Sequence, residues 1–366
     1  MAGSIYGKLF TISTWGESHG EGLGVVVDGV PAGIPLSEEY VQTFLDRRKP
    51  GQTIYSTPRK EGDKVRILSG VFEGKTTGTP VSMAVFNENQ RSGDYSQIAN
   101  IFRPGHADYT FDAKYGFRDY RGGGRSSGRE TIGRVAGGAI AMALLNSLGI
   151  EFTTYTRSIG NVEIDYNSFD MDYINKSPLY MPDKAASDRA EQFLADTMKA
   201  GNSSGGVIEC VIKNMPVGIG ETVFDKLDAC LAKGIMSIGA VKGFEIGDGF
   251  EVGKNTGLDN NDAFTLDEKG NIVKETNHSG GVLGGMSDGS DIVFRAAIKA
   301  TPSISSTQKT VTKSGEITDI QIKGRHDPVI VPRAVVVVEA MAAITIADLL
   351  MQNATANIDN IKKIYN

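Results

Sequence analysis

Cysteine is scarce in this chain: only two occur among 366 residues. Cys210 falls in the apolar run at 207–212, which is typical of a strand, and Cys230 falls in an amphipathic helical stretch. Thiols in such positions are usually buried and free in a reducing compartment. The sequence therefore predicts neither a disulfide framework nor a cysteine-based metal site.

Long uncharged apolar runs are also absent. The start of the chain contains no apolar segment of the kind found in secretory signal peptides. The most apolar late stretch, residues 329–350, is interrupted by a proline and by charged side chains: Pro332, Arg333, Glu339 and Asp348. A membrane-spanning helix needs about 20 residues with few or no charges. The sequence therefore predicts a cytoplasmic protein without a membrane partner.

An excess of positive charge is lacking as well, since the formal net charge is −6. Nucleic-acid binders usually carry the opposite balance, so a nucleic-acid partner is not expected. Glycine, in contrast, is abundant at 45 residues, and it clusters in particular loops where the backbone can approach a ligand. The length alone suggests about two domains.

Strand-like and helix-like patterns alternate along the chain. Strands are expected at residues 23–27, 65–71, 81–86 and 207–212. Helices are expected from an N-cap at Ser37 to about Arg48, after Gly128 with a small-residue face at 135–139, and over residues 332–352. Polar, weakly patterned sequence predicts loops or excursions at residues 160–190 and 251–280.

A short internal similarity points to a duplicated strand–loop–helix unit. The sequence Pro-x-Gly-Ile occurs at 31–34 and again at 216–219, each time between an apolar strand and an amphipathic helix. Phe44 and Phe224 follow at a similar offset. The match predicts that two parts of the chain share one local architecture.

The chain has four histidines, all in polar loops: His19, His106, His278 and His326. None lies on an apolar stripe, where a structural role would be favoured. Histidine is the side chain best suited to proton transfer near neutral pH, so this distribution favours a catalytic site. No His-x-x-x-His or Cys-x-x-Cys spacing occurs in the sequence, and a metal site is not expected.

An arginine- and glycine-rich segment spans residues 118–130. A glycine run followed by a helix N-terminus, with arginines beside it, is suited to binding phosphate. The spacing of residues 123–128 resembles a P-loop, but Arg129 and Glu130 stand where Lys-Ser/Thr is required. No Gly-x-Gly-x-x-Gly follows a strand either. The sequence therefore supports neither a standard P-loop nor a Rossmann domain.

Further basic residues fall in loops at 47–49 and 59–60 and at Arg103 and Arg325. Arginine is suited to planar, bidentate recognition of phosphate and carboxylate groups. Collected around one cleft with His19 and His106, these residues suit a small substrate that carries several negative charges.

Several segments together resemble the chorismate synthase family along nearly the whole chain. Residues 16–20, 121–129 and 324–328 are similar to three family signatures, and residues 103–108, 236–238 and 245–250 also match. The resemblance implies an α+β fold, a βαβ sandwich with an internal pseudo-twofold duplication, built as a single domain over residues 1–366. It also implies a homotetramer.

The implied reaction is the anti-1,4-elimination of the 3-phosphate and a C6 hydrogen from 5-enolpyruvylshikimate-3-phosphate, giving chorismate. In the family this is the last common step of the shikimate pathway to the aromatic amino acids, and it requires reduced FMN without a net redox change. No added reductase domain is visible in the sequence. An external flavin reductase is therefore expected as the electron source, although NADPH use by the chain itself stays open.

The resemblance assigns catalytic roles to His19, His106 and Asp327. His19 would stabilise the leaving phosphate, His106 the reduced flavin, and Asp327 would help to relay the C6 proton. Substrate-binding roles fall on Arg48, Arg103 and Arg129. The FMN site is expected to be lined by Arg48, Arg125, Ser126, Ser127, Gly239, Ala240, Gly284, Lys299, Ala300, Thr301, Pro302, Ser303 and Arg325.

The sequence departs from the family pattern at a few places. Residues 299–303 read Lys-Ala-Thr-Pro-Ser where Lys-Pro-Thr-Ser-Ser is common, Gly239 replaces a frequent asparagine, and Ile54 a frequent arginine. Two other functions stay open. A phosphotransferase with a modified P-loop would turn over ATP, whereas a non-catalytic phosphate- or flavin-binding module would bind FMN without any turnover.

Overall fold

A computed structural model describes residues 3–51, 53, 55, 62–87, 99–322 and 327–366. The helices are α1 (Glu38–Arg48), α2 (Asp108–Tyr115), α3 (Thr131–Ser147), α4 (Lys184–Lys199), α5 (Leu227–Met236), α6 (Gly257–Asn260), α7 (Val331–Asn353) and α8 (Ile358–Tyr365). The strands are β1 (Ile5–Tyr6), β2 (Thr11–Gly16), β3 (Gly22–Asp28), β4 (Val65–Ser69), β5 (Val71–Phe72), β6 (Lys75–Thr76), β7 (Val81–Phe86), β8 (Glu151–Ile159), β9 (Val162–Glu163), β10 (Gly206–Lys213), β11 (Val241–Ile246), β12 (Phe264–Leu266), β13 (Ile272–Lys274), β14 (Val282–Leu283), β15 (Met286–Ser287), β16 (Ile292–Ile298), β17 (Gln308–Val311) and β18 (Ile317–Ile320).

Two five-stranded sheets carry most of the strands. The first has the order β1-β2-β3-β7-β4, and the second, read from its other edge, has the order β9-β8-β10-β16-β11. The central strands, β3 and β10, pair antiparallel with both of their neighbours. Each central strand is followed by one of the Pro-x-Gly-Ile loops.

The two Pro-x-Gly-Ile loops each bind a short hairpin in the same manner. In the first half, the Gly33 amide donates to the Thr76 carbonyl at 2.8 Å, and the Ile34 amide donates to the Thr76 hydroxyl at 3.0 Å. In the second half, Gly218 and Ile219 make the equivalent bonds to Ser287, at 2.8 and 2.9 Å. The hairpins are β5–β6 and β14–β15.

Helices α3 and α7 pack against each other, with α3 also against the first sheet and α7 against the second. Small residues permit this close approach: a Cβ atom added to Gly138 would lie 2.3 Å from the Ala340 Cβ atom of α7. The predicted small-residue face of α3 is therefore confirmed. By length and composition α7 could cross a membrane, but most of its apolar stretch is buried inside the protein.

Substitution of Gly138 by alanine is expected to destabilise the fold by about 1–3 kcal/mol, because the new methyl group meets the backbone of α7. The loss should appear even though alanine favours helix formation by about 1 kcal/mol over glycine. Denaturant unfolding measures it, with Asn146→Ala at the exposed end of α3 as the matched control. Equal or greater stability of the Gly138 variant would contradict the packing described.

Most local predictions are confirmed. Strands occur at 22–28, 81–86 and 206–213, and Ser37 caps α1 by accepting a hydrogen bond from the Tyr40 amide at 3.2 Å. Cys210 lies on β10 and Cys230 on α5, and both are free. The apolar helix over 332–352 is α7, which begins one residue earlier, with a proline in its first turn.

Other boundaries differ from the predictions. The strand expected at 65–71 is broken at Gly70, whose φ of +82° ends β4 before β5 begins. The segment 160–190 is not only loop, because α4 begins at Lys184 with Asp183 as its N-cap. Phe224 precedes α5 and is 90% exposed. It is therefore not the structural counterpart of Phe44, which lies on α1. Helix α3 starts after a 3₁₀ turn at Gly128–Glu130.

Candidate active site

The loop that carries His19 joins β2 to β3. The Ser18 hydroxyl lies 3.1 Å from the His19 Nδ1 atom, and Ser18 itself is buried. The imidazole packs directly on Gly122, since a Cβ atom there would lie 2.4 Å from Nδ1. The glycine run of the arginine-rich segment is thus needed for the approach of this histidine.

Asn87 connects the His19 loop to the arginines. Its side-chain amide donates to the Gly20 carbonyl at 2.7 Å, and its side-chain oxygen accepts from Arg129 Nη2 at 2.6 Å. Asn87 follows the last residue of β7, so the end of the first sheet fixes both contacts.

Asp63 bridges two of the arginines predicted to bind substrate. Its carboxylate accepts from Arg48 Nη2 at 3.0 Å and from Arg129 Nη1 at 3.1 Å. All three side chains are buried, at 1%, 4% and 7% exposed for Arg48, Asp63 and Arg129. Two guanidinium groups around one carboxylate leave a net positive charge, which in a buried site favours an anion.

Arg333 extends this cluster to Asp327. The Arg333 Nε atom donates to the Arg48 carbonyl at 3.1 Å, and Nη1 donates to the Asp327 carboxylate at 2.9 Å. Asp327, in turn, accepts at its backbone carbonyl from the Thr301 hydroxyl at 2.6 Å. The stretch at 299–303 is therefore tied to the arginine cluster.

His106 joins the same network from a third loop. Its Nε2 atom lies 3.0 Å from the Ser303 hydroxyl, and Lys299 donates to the neighbouring Gly105 carbonyl at 3.1 Å. Gly105 also packs on Pro302, because an added Cβ atom would lie 2.7 Å from that ring. A continuous series of contacts thus runs from the His19 loop to His106.

Arg103 holds the His106 loop in place. Its guanidinium donates to Asp108 from Nε at 2.8 Å and from Nη2 at 2.7 Å, and its carbonyl accepts from the His106 amide at 3.2 Å. Burial alone would raise the pKa of Asp108, but the hydrogen bonds from Arg103 outweigh it and hold that pKa below its ordinary value. The carboxylate is thus kept charged as the partner of Arg103.

The residues of the arginine-rich loop make mostly internal contacts. Arg125 donates to the Gly16 carbonyl at 3.1 Å and to the Thr14 hydroxyl at 2.6 Å, which fixes the loop to β2. The Ser126 hydroxyl donates to the Gly123 carbonyl, and Ser127 accepts from the Arg129 amide as the cap of the following turn. Their side chains thus shape the loop.

The remaining predicted flavin residues fall in two places. Ala240, with a φ of +73°, accepts from the Lys299 amide at 2.9 Å, so Gly239 and Ala240 lie beside the stretch at 299–303. Gly284 lies in the turn of the β14–β15 hairpin, where Gly285 packs on Lys226. Within the described part of the chain, this hairpin packs on the segment at 221–227.

Some predicted residues lie elsewhere. Arg325, His326 and Ile54 fall outside the described residues. His278 pairs with Asp248 at 2.7 Å, next to a cavity of about 300 Å³ on the second sheet that Glu209, Asp248 and Arg295 help to line.

Comparison with known proteins identifies the family. The chorismate synthase family model matches residues 10–351. This chain belongs to the chorismate synthase family. It is therefore a lyase, as the sequence predicted.

Named chorismate synthases align over essentially the full chain. The chorismate synthase of Lachnoclostridium phytofermentans is 67% identical over 100% of both chains. That of Agathobacter rectalis is 68% identical over 100% of this chain and 99% of its own. A relative from Methanosarcina mazei is 51% identical over 98% of each. A chorismate synthase crystal structure superposes with a TM-score of 0.78 at 31% identity, covering 98% of this chain and 97% of the solved one, which supports the mixed α/β fold.

Three residues of the network in this chorismate synthase family member were missed from sequence: Asp63, Asn87 and Arg333. Asn87 carried a weak signal, because polar residues at a strand end often contribute to sites. Asp63 carried no such signal in the sequence. Its role depends on a backbone with φ of +43° and on its position between two arginines that are far apart in sequence. Among the described residues, no group of three or more His, Cys, Asp or Glu side chains is placed to hold a metal.

Proposed function

We propose that this chain converts 5-enolpyruvylshikimate-3-phosphate to chorismate by anti-1,4-elimination, dependent on reduced FMN, as the last common step of the shikimate pathway to the aromatic amino acids. The observation that carries the proposal is the network that joins the His19 loop, the Arg48–Asp63–Arg129 cluster, Asp327 and His106. It combines positive charge and proton-transfer groups in one place. An elimination that expels phosphate needs both.

Arg48 and Arg129 are proposed to bind the anionic groups of the substrate. Their shared carboxylate orients both guanidinium groups and leaves them with a net positive charge. Arg103 is proposed as a third substrate-binding residue, although its guanidinium is already engaged by Asp108. Guanidinium groups suit phosphate and carboxylate because they donate two parallel hydrogen bonds.

His19 is proposed to donate a hydrogen bond or a proton to the leaving phosphate. The adjacent Ser18 hydroxyl and the close contact with Gly122 hold the ring in one orientation. Preorganised donors directed at developing negative charge lower the barrier more in a water-poor site than they would in water. Asp327 is proposed to help relay the proton released from C6.

The donor set near His106 fits FMN. Lys299 provides an ammonium group, Ser303 and Thr301 provide hydroxyls, and a Cβ atom at Gly239 would meet no atom within 4 Å. Reduced FMN, when bound, supplies the electron-rich ring that assists the elimination without net redox change. His106, fixed by Ser303, is proposed to hold a proton beside that ring. Arg48, Arg125, Ser126, Ser127, Ala240, Gly284, Ala300, Pro302 and Arg325 complete the proposed lining.

We also infer a βαβ sandwich with pseudo-twofold duplication within a single domain. In both sheets the central strand and the two strands beyond it, β3-β7-β4 and β10-β16-β11, follow the same chain order. This correspondence and the matching bonds of the two Pro-x-Gly-Ile loops support the duplication. A cytoplasmic homotetramer supplied with electrons by an external flavin reductase completes the proposal.

An anaerobic assay tests the function. Purified protein, 5-enolpyruvylshikimate-3-phosphate and dithionite-reduced FMN should yield chorismate and phosphate in equal amounts, with none formed when flavin is omitted or left oxidised. FMN binding without product would favour the non-catalytic module. ATP hydrolysis without chorismate would favour the modified P-loop phosphotransferase.

The variant Arg129→Gln should raise KM about 10–100-fold, because loss of a charge-assisted contact costs about 1.5–3 kcal/mol. The measurement is steady-state turnover over a range of substrate concentrations. Arg189→Gln, an exposed arginine on α4, is the matched control and should leave KM unchanged. An unaltered KM in the Arg129 variant would remove this residue from substrate binding.

A further inference from the structure

Arg333 stands at a junction that the proposed mechanism does not use. It lies in the first turn of α7, and its guanidinium contacts the last residue of α1 on one side and the Asp327 carboxylate on the other. Its side chain is 20% exposed and that of Asp327 is 21% exposed. Both side chains are thus largely shielded from water.

The base of Arg333 is held rigidly. Its neighbours Val331 and Pro332 are buried, and α7 continues as a largely buried helix. Its Nε atom is anchored on the Arg48 carbonyl at 3.1 Å, and Arg48 is itself fixed by Asp63 and by the Gly128 carbonyl at 3.1 Å. The Nη1 atom therefore has a defined position in space.

Asp327 receives that atom at its carboxylate. Its backbone carbonyl is bound by Thr301, which fixes the main chain, whereas the 2.9 Å contact with Arg333 fixes the side chain. The same guanidinium thereby sets the distance between the carboxylate and the Arg48–Asp63–Arg129 cluster. A bridging guanidinium is well suited to this because its donors are planar and rigid.

We infer that Arg333 is a positioning residue that holds the Asp327 carboxylate in register with the anion-binding arginines. The inference rests on the proposed function, because Asp327 matters only if it takes part in proton relay. Misplacement of a reacting group by about 1 Å can cost roughly 10²-fold in rate. Loss of Arg333 should therefore act on kcat and leave substrate binding largely intact.

The test compares Arg333→Gln, Asp327→Asn and the double variant by anaerobic turnover with reduced FMN. The Arg333 variant should lose about 10²-fold in kcat with KM within about 3-fold, and the double variant should be no slower than Asp327→Asn alone. Arg333→Lys, which keeps the charge but has a single donor nitrogen and cannot bridge two partners in a planar fork, should recover part of the loss. Multiplying losses in the double variant would overturn the inference.

A matched control separates positioning from simple stability. Arg47 and Glu339 form a neighbouring ion pair between α1 and α7 at 2.6 Å. Glu339→Gln should destabilise the same helix pair yet leave kcat nearly unchanged. An equal loss of kcat in this control would reduce Arg333 to a structural role.

A readout without turnover distinguishes the failure of the inference from that of the function. In a crystal structure of ligand-free Arg333→Gln, the Asp327 carboxylate should shift or adopt several rotamers, while α7 keeps its place. An unmoved carboxylate would contradict the positioning role. If Asp327→Asn alone kept full activity, the proposed role of Asp327 in proton relay would be wrong instead.

Discussion

Replacement of Asp63 by alanine is expected to lower the free energy of unfolding by about 3–5 kcal/mol. The carboxylate lies between two buried guanidinium groups, and its removal leaves both positive charges without their shared counter-ion. Breaking a buried pair by deleting one partner is costly for this reason. Urea denaturation of the ligand-free chain at neutral pH measures the change.

The companion control is Asp188→Ala. Asp188 pairs with Lys184 on the surface of α4, where both side chains are more than half exposed. Exposed pairs contribute about 0–1 kcal/mol, so this variant should differ little from the parent chain. Similar stabilities for the Asp63 and Asp188 variants would show that the arginine cluster does not depend on its carboxylate.

Replacement of His19 or of His106 by alanine is expected to reduce turnover about 10²–10⁴-fold, the usual range for a proton-transfer group. His19 is held by Ser18 and packs on Gly122, and His106 is held by Ser303, so each ring has a fixed place in the network. The measurement is kcat in the anaerobic assay with reduced FMN at saturating substrate.

His278 provides the control for both. It also lies in a polar loop and makes a short contact to an acid, Asp248, in the turn that follows β11 of the second sheet. His278→Ala should therefore turn over at a rate close to the parent chain. Near-native rates for His19→Ala and His106→Ala would exclude these residues from the mechanism.

Local signals in the sequence were sufficient to predict the helices α1, α3 and α7 and the strands β3, β7 and β10. Ser37 with acidic residues after it predicts a helix start, because capping depends on neighbours within one turn. The boundary of α4 was missed, since Lys184 begins its helix inside a stretch whose polar sequence resembles a loop. Gly70 broke a predicted strand because a residue with positive φ interrupts an otherwise regular apolar pattern.

The motifs name candidate site residues, but they do not give the arrangement of those residues. The motifs name His19, Arg48, Arg129 and His106, yet they do not say that Asp63 bridges two of them, 15 and 66 positions away in sequence. Such a contact depends on how the sheets and helices pack. For the same reason the motifs do not show that Arg125 fixes its loop to β2 through Gly16 and Thr14.

A crystal structure of the complex with FMN and 5-enolpyruvylshikimate-3-phosphate tests the central claim most directly. The account predicts substrate anionic groups within hydrogen-bond distance of Arg48, Arg129 and His19, with the flavin beside His106 and the residues at 299–303. Ligands bound instead in the cavity lined by Glu209, Asp248 and Arg295, with the histidine loops unoccupied, would contradict it.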